Sequence, residues 1–363
     1  MNSASSGYTS KNAMRSDCLK VLRFFASDIL QFKTTKIFLW ITFVVHVFMN
    51  LVQIYFLTCV YENSKEIVLY AAVLFGECYS MLAMWTILYD TKKVARLKDD
   101  LYLWELDSAG EKVEKKIRRE VKYMTIYIVI TFVIALCGSL LFAVNLSHNL
   151  EWFFVLRFFK VYFPDQYIVL AILYKVTFIF TGYSMVVQVF QIIYYTQHLR
   201  YQIMLLNEHI LNISDYYHNS NEERLFYDKE YQTTIQNRLK FCIKRWDEYL
   251  VAYNDKVNEV KHQLIFFSLA GWLLGISFAI VMLSGEITPE YYPRQAMAGL
   301  AVVLTFCGAI EAGQSTESQM EEMAFVRKIQ CSENYSVNYN LGLAIVRGIY
   351  SIGTVFANMN LNA

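Results

Sequence analysis

Six blocks of the chain, at residues 37–60, 67–89, 123–144, 168–195, 264–284 and 295–312, are almost free of charge and dominated by Leu, Ile, Val, Phe and Tyr. Crossing the hydrocarbon core of a bilayer takes about 20 such residues in a helix. A seventh block, 341–357, is shorter and carries Arg347 with several Gly, Ser and Thr. A helix that polar is expected to sit inside an assembly rather than in lipid. Only 18% of residues are charged and only 3 of 363 are Pro, which favours long helices in a low-charge environment over soluble domains or sheets. The reading is an all-α membrane protein with seven transmembrane helices. Its divisions are a polar N-terminal segment (1–36), four helices (37–195), a helical connection (196–263) and three further helices (264–363).

Lys and Arg fix the expected orientation. Alternate connections (the N-terminal stretch, 90–122, 196–263, and Arg327 with Lys328) hold twenty-seven of them. The opposite side holds Lys65, Arg157, Lys160 and Arg294. The positive-inside rule then predicts a cytoplasmic N-terminus and an extracellular C-terminus. G-protein-coupled receptors have the reverse orientation and rely on Pro within their helices; here Pro164, Pro289 and Pro293 all fall in outer connections. Neither repeats nor Gly/Pro-broken helices suggest a secondary transporter.

The connection 196–263 patterns as helix. Ile235, Leu239, Cys242, Ile243, Trp246, Leu250, Tyr253, Val257 and Val260 recur at three- and four-residue steps, so an amphipathic helix should run unbroken into the fifth span. Its apolar stripe fits a packed cytoplasmic helix or a subunit contact through Leu239, Ile243, Trp246 and Leu250.

The chain carries no nucleotide loop, zinc-protease motif or nucleophile elbow, and an enzyme is not expected. No cofactor or metal is implied: seven Cys are scattered and six His share no convincing ligand spacing. A net charge of +1 gives no reason to expect nucleic acid. Glu77 and Glu311 are the acids within spans, each without an evident partner, and Lys175 is expected to reach outward to water. Of three glycosylation sequons only that of Asn145 lies on the outer side.

The order of several motifs resembles the insect odorant receptor family. These are Phe163-Pro164 leading into the fourth span, His198, Gln202 and Leu206 after it, the segment CIKRWDEYLVAYNDKVNEV (242–260), CGAIEAGQSTESQMEEMAF (307–325), and Tyr350-Ser351 in the last helix. Trp246 stands where the family has His, and Phe325 replaces Tyr. Between Phe325 and Tyr350 the chain is shorter than the family pattern and has neither Trp nor Pro. The resemblance implies the ligand-binding subunit of an odorant-gated, non-selective cation channel in the plasma membrane, assembled as a hetero-tetramer with a co-receptor subunit.

It further implies an odorant pocket in the outer halves of the spans. The expected ligand contacts are Tyr70, Val73, Leu74, Leu140, Leu141, Tyr167, Leu170, Tyr174 and Phe278. The expected pore residues are Ile352, Val355 and Phe356 of the last helix. A gustatory-type receptor of the same superfamily would end in a Thr-Tyr and Gln-Phe pattern that GIYSIGTVFANMN lacks. A ligand-free accessory membrane subunit is the alternative from another class.

Overall fold

The structure, a computed structural model, describes residues 17–59, 64–89, 104–144, 153–213, 228–283, 292–322, 330–332 and 335–336. Seven helices of nine residues or more organise it. They are α1 (Lys33–Cys59), α2 (Ser64–Tyr89), α3 (Glu111–Ala143), α4 (Phe154–Tyr162), α5 (Tyr167–Leu211), α6 (Lys229–Leu283) and α7 (Tyr292–Glu322). A small antiparallel pair, Gln330–Ser332 with Tyr335–Ser336, follows α7.

Helix α1 shows why this is a membrane fold. Its outward face is apolar: Ile37, Trp40, Ile41, Val44, Phe48 and Leu51 are all exposed. Its buried face carries Thr42, His46, Asn50 and Gln53, each at most 2% exposed. A water-soluble helix puts its polar side outward; the inverted pattern suits hydrocarbon outside and hydrogen-bonding partners inside. Helix α5 repeats it near its start, where Ile168, Val169, Ile172, Leu173 and Val176 are exposed. Among the described residues, Lys33–Cys59, Glu111–Ala143, Pro164–Leu211 and Tyr292–Gln319 are long and apolar enough to cross a membrane. Helices α2 and α6 cover the second and fifth expected spans. The seventh expected span, with Ile352, Val355 and Phe356, and the sequon residue Asn145 lie outside the described residues.

Three helices extend well beyond their apolar blocks. Helix α3 begins twelve residues before its uncharged stretch. It starts after Gly110, whose φ of 99° suits a residue without a side chain, and Glu111 and Glu114 occupy its first turn, where the helix dipole favours acids. Helix α5 runs 45 residues without a break, so the segment after the fourth span continues the same rod. Helix α6 runs 55 residues, as the amphipathic pattern predicts. At 1.5 Å per residue these reach about 68 and 83 Å, more than twice the roughly 30 Å hydrocarbon core.

Helix α5 is the axis of the packing, touching α1, α2, α3, α6 and α7. Its approach to α3 depends on small residues: a Cβ built on Gly182 would lie 1.7 Å from Ser139 Oγ and 3.3 Å from the Ala135 carbonyl oxygen. Two main clusters form along it. The larger gathers Leu19, Leu22, Trp104, Tyr201, Trp246 and Tyr249 with the second half of α5. The other gathers Tyr70, α4, Tyr174 and Phe178 around the first half.

Candidate ligand-binding site

The cluster around the first half of α5 is built mainly from aromatic rings. The short helix α4 is strongly one-sided: Phe154, Val155, Leu156 and Phe159 are buried. It lies across α5, with Phe159 6.2 Å from Tyr174 and Phe153 5.7 Å from Phe178, ring centre to ring centre. Phe142 of α3 closes another side, 5.9 Å from Phe178. Tyr70 of α2 meets Phe154 edge-on at 6.0 Å. These spacings are those of favourable aromatic contacts, each contributing about 0.5–1.5 kcal/mol beyond burial.

One side of this aromatic cluster is polar. Tyr174 donates its hydroxyl to Glu77 Oε1 at 2.7 Å. His46 Nε2 lies 2.8 Å from Thr177 Oγ1. The Thr177 hydroxyl donates to the Tyr174 carbonyl, so its oxygen accepts from His46 Nε2–H. That leaves His46 Nδ1 facing Glu77 Oε2 at 3.8 Å, and neither atom has a hydrogen-bond partner among the described residues. Two acceptors in this position are satisfied by a proton on Nδ1 or by an O–H or N–H donor placed between them. Gln53 fixes α2 by donating to the Tyr70 carbonyl at 2.9 Å, and Arg157 donates to the Tyr70 hydroxyl at 3.2 Å.

Arg294, at the start of α7, is 2% exposed and caps the end of α3. It donates to the carbonyls of Leu141 and Val144, both at 3.1 Å, and lies over the rings of Phe142 and Phe153. A cation at a helix C-terminus satisfies open carbonyls and the negative end of the dipole together. Arg294 therefore joins α3, α7 and the aromatic cluster.

The sequence-predicted contacts divide. Tyr70 and Tyr174 are buried at the centre, and Tyr167 and Leu170 pack against the same cluster. Leu74 and Leu141 are half-buried and Leu140 is exposed. Val73 and Phe278 lie within α2 and α6, their side chains outside the described residues. Sequence reasoning missed His46, Phe142, Phe178 and the whole of α4. The one legible signal was the density of Phe in FVLRFFKVY, which repeats at helical spacing. Glu77 does have a His beside it, contrary to the sequence expectation, but His46 is 31 positions away on another helix. Lys175, expected to reach water, is instead 6% exposed.

The larger cluster explains the motif residues after the fourth expected span. His198 Nε2 lies 3.1 Å from Asp17 Oδ1. Asp17 also accepts from Tyr194, Arg23 and the Leu19 amide. Burial pushes the Asp17 carboxyl up, but these bonds and the His198 charge outweigh it and hold the group down at about 2. Ligand atoms of Asp17, Cys18 and His198 lie within 4.8 Å of one another. Both Asp17 oxygens are already engaged by donors, and burial raises the Cys18 thiol to about 12, so the trio fits a latch between the N-terminal segment and α5 better than a metal centre. Gln202 accepts from the Trp104 amide at 2.7 Å and donates to the Trp104 carbonyl at 3.2 Å. Leu206 is fully buried. Of the expected subunit contacts, Trp246 is 5% exposed inside this core and Leu250 packs against it, while Leu239 and Ile243 are exposed.

Among the solved structures that share this fold are two of one protein. Both are of the insect olfactory receptor OR5 from Machilis hrabei, one in complex with eugenol. The eugenol complex matches at TM-score 0.65 and 10% identity, covering 94% of this chain and 97% of that one. The structure without eugenol matches at TM-score 0.65 and 10% identity, covering 93% and 96%. No protein-family model matches the sequence, and no curated protein matches it either.

Proposed function

We propose that this chain is the ligand-binding subunit of an odorant-gated, non-selective cation channel in the plasma membrane. The observation that carries the reading is the aromatic cluster with one polar side, buried on a fold shared with an insect olfactory receptor whose structure holds eugenol. Aromatic walls suit a small volatile molecule with few hydrogen-bonding groups. Burying about 150 Å² of such a molecule contributes about 4 kcal/mol before entropic costs, which corresponds to weak, fast-exchanging binding. The facing acceptors of His46 and Glu77 favour ligands that bring a single hydroxyl or amine.

Helices α5 and α6 carry long inner extensions that suit assembly with a co-receptor subunit. Leu239 and Ile243, exposed on α6, are the contacts this reading assigns to that partner. The last apolar block, with Ile352, Val355 and Phe356, is the pore segment. Orientation follows the Lys and Arg count, with the N-terminus inside.

The test is current recording from cells expressing the chain with and without a co-receptor subunit. A panel of small volatiles is applied, comparing alcohols and phenols with hydrocarbons of equal size. Ligand-evoked cation current that needs both subunits supports the reading. Surface delivery without current, for any volatile in the panel, would instead indicate an accessory subunit.

A further inference from the structure

Away from the aromatic cluster, the structure carries a cavity of about 640 Å³ on the opposite, Lys- and Arg-rich side. One wall is a stripe on α3: Lys112, Lys115, Lys116 and Arg119, spaced by three and four residues and therefore on one helix face. The other walls come from the inner extension of α5 and the end of α7, with Asn207 and Gln319 supplying amides and Glu208 the one carboxylate. Four cations against one acid give the cleft a net charge of about +3. The acids of α3 neutralise only one of the four cations, which leaves about +2. Glu114 holds Arg118 and Glu120 holds Arg200, both outside the cleft, while Glu111 engages only Lys115. Lys112, Lys116 and Arg119 have no acidic partner among the described residues, and all three are exposed.

The depth of the stripe narrows the ligand. Residues 123–143 of α3 carry no charge, so the hydrocarbon boundary lies just beyond Lys122. At 1.5 Å per residue, Arg119 sits about 6 Å and Lys112 about 16 Å inside that boundary. The headgroup layer is about 5–7 Å deep, so the stripe starts among lipid phosphates and projects about 10 Å beyond them. A simple anionic headgroup reaches only the first cation. A sugar headgroup bearing further phosphates spans all of them. Basic pockets between membrane helices on the inner side suit such headgroups, and the volume falls in the range of small-molecule sites.

We propose that this cleft binds the polyphosphorylated inositol headgroup of an inner-leaflet lipid. Asn207 and Gln319 donate to the sugar hydroxyls, and Lys112, Lys116 and Arg119 take the phosphates. Because α5 also carries the aromatic cluster, lipid occupancy bears on the same rod as the ligand site. The binding claim itself does not depend on what the outer site recognises.

The test uses the purified full-length chain in neutral detergent and a fluorescent short-chain phosphatidylinositol bisphosphate, with binding followed by anisotropy. Saturable binding is expected. The combined variant Lys112→Gln, Lys116→Gln, Arg119→Gln should weaken it on the order of 100-fold, from about a factor of five per cation. The control variant Lys240→Gln, Lys244→Gln removes two exposed cations from α6 and should change it less than about threefold. Lys116→Glu alone should weaken it by more than about tenfold, which keeps the test open if the triple variant folds poorly. Equal losses in the α3 and α6 variants, or equal competition by phosphatidylserine at matched charge, would show diffuse attraction and overturn the site. Soluble inositol trisphosphate should compete at least tenfold less well than the lipid; equal competition would overturn the membrane source.

Discussion

Tyr174→Phe removes one hydroxyl from the buried aromatic cluster and leaves the ring in place against Phe178 and His46. The lost atom is the donor to Glu77 Oε1 at 2.7 Å, and Glu77 is 6% exposed. A hydrogen bond to a buried charged acceptor contributes about 1.5–3 kcal/mol, and a carboxylate left short of donors bears the upper end of that range. Glu77 Oε2 already lacks a hydrogen-bond partner, so the variant leaves both oxygens unserved, and a loss of about 2–3 kcal/mol is expected. Stability alone does not isolate the bond, because removing either group also disturbs its neighbours. A double-mutant cycle does. Thermal unfolding of the purified protein is measured for the parent, Tyr174→Phe, Glu77→Gln and the double variant at one scan rate. The double variant should lose less than the sum of the two singles, with a coupling of about 1.5–2 kcal/mol. In the current assay Tyr174→Phe should raise the concentration of a hydroxyl-bearing ligand needed for half response several-fold, while leaving a hydrocarbon ligand unchanged. Losses that add within about 0.3–0.5 kcal/mol would refute the claim that these groups act as one unit, since additivity of that quality is typical of distant sites.

Packing and pH provide two further checks. Gly182→Val drives a side chain into Ser139 and the Ala135 carbonyl and should destabilise the protein by about 2–3 kcal/mol. Ser139→Ala should recover part of that in the double variant, and a neutral Gly182→Val in thermal unfolding would mean that α3 and α5 pack less closely than described. His209 lies edge-on to Trp104 at 4.7 Å on the C-terminal extension of α5, where burial lowers its ring to about 4. The unfolded chain takes up the proton near its ordinary value of about 6.5, so stability is complete above that and declines as the pH falls toward 4, by about 3 kcal/mol in all. His209→Gln should flatten the dependence between pH 6.5 and 4, and the same slope in parent and variant would remove His209 as its source.

The sequence alone determined that the chain is helical, and four of its expected spans, the first, third, fourth and sixth, fall on helices long and apolar enough to cross a membrane, because hydrophobic length and three-to-four-residue spacing are local properties of the chain. The repeat from Ile235 to Val260 anticipated the unbroken α6, and the absence of Pro from the blocks matched the long rods. Tyr70 and Tyr174 were legible as members of the buried aromatic cluster because both lie on apolar helices. His46 was not, since its partner Glu77 is on another helix and nothing in the spacing of either residue marks the encounter. Helix α4 read as an outer connection, because nine residues are too few to span a bilayer and only the fold shows that its Phe face covers α5. Trp246 looked the same whether it served the chain's own core or a neighbour. Burial against Trp104 and Tyr249 depends on how α5 and α6 cross. Likewise Lys112, Lys116 and Arg119 were counted in sequence only as part of the inner charge. The approach of α5 and α7 is what gives that charge a cleft. Local pattern sets what each helix is, and the close crossings allowed by Gly182, Ser139 and Ala135 set which side chains meet.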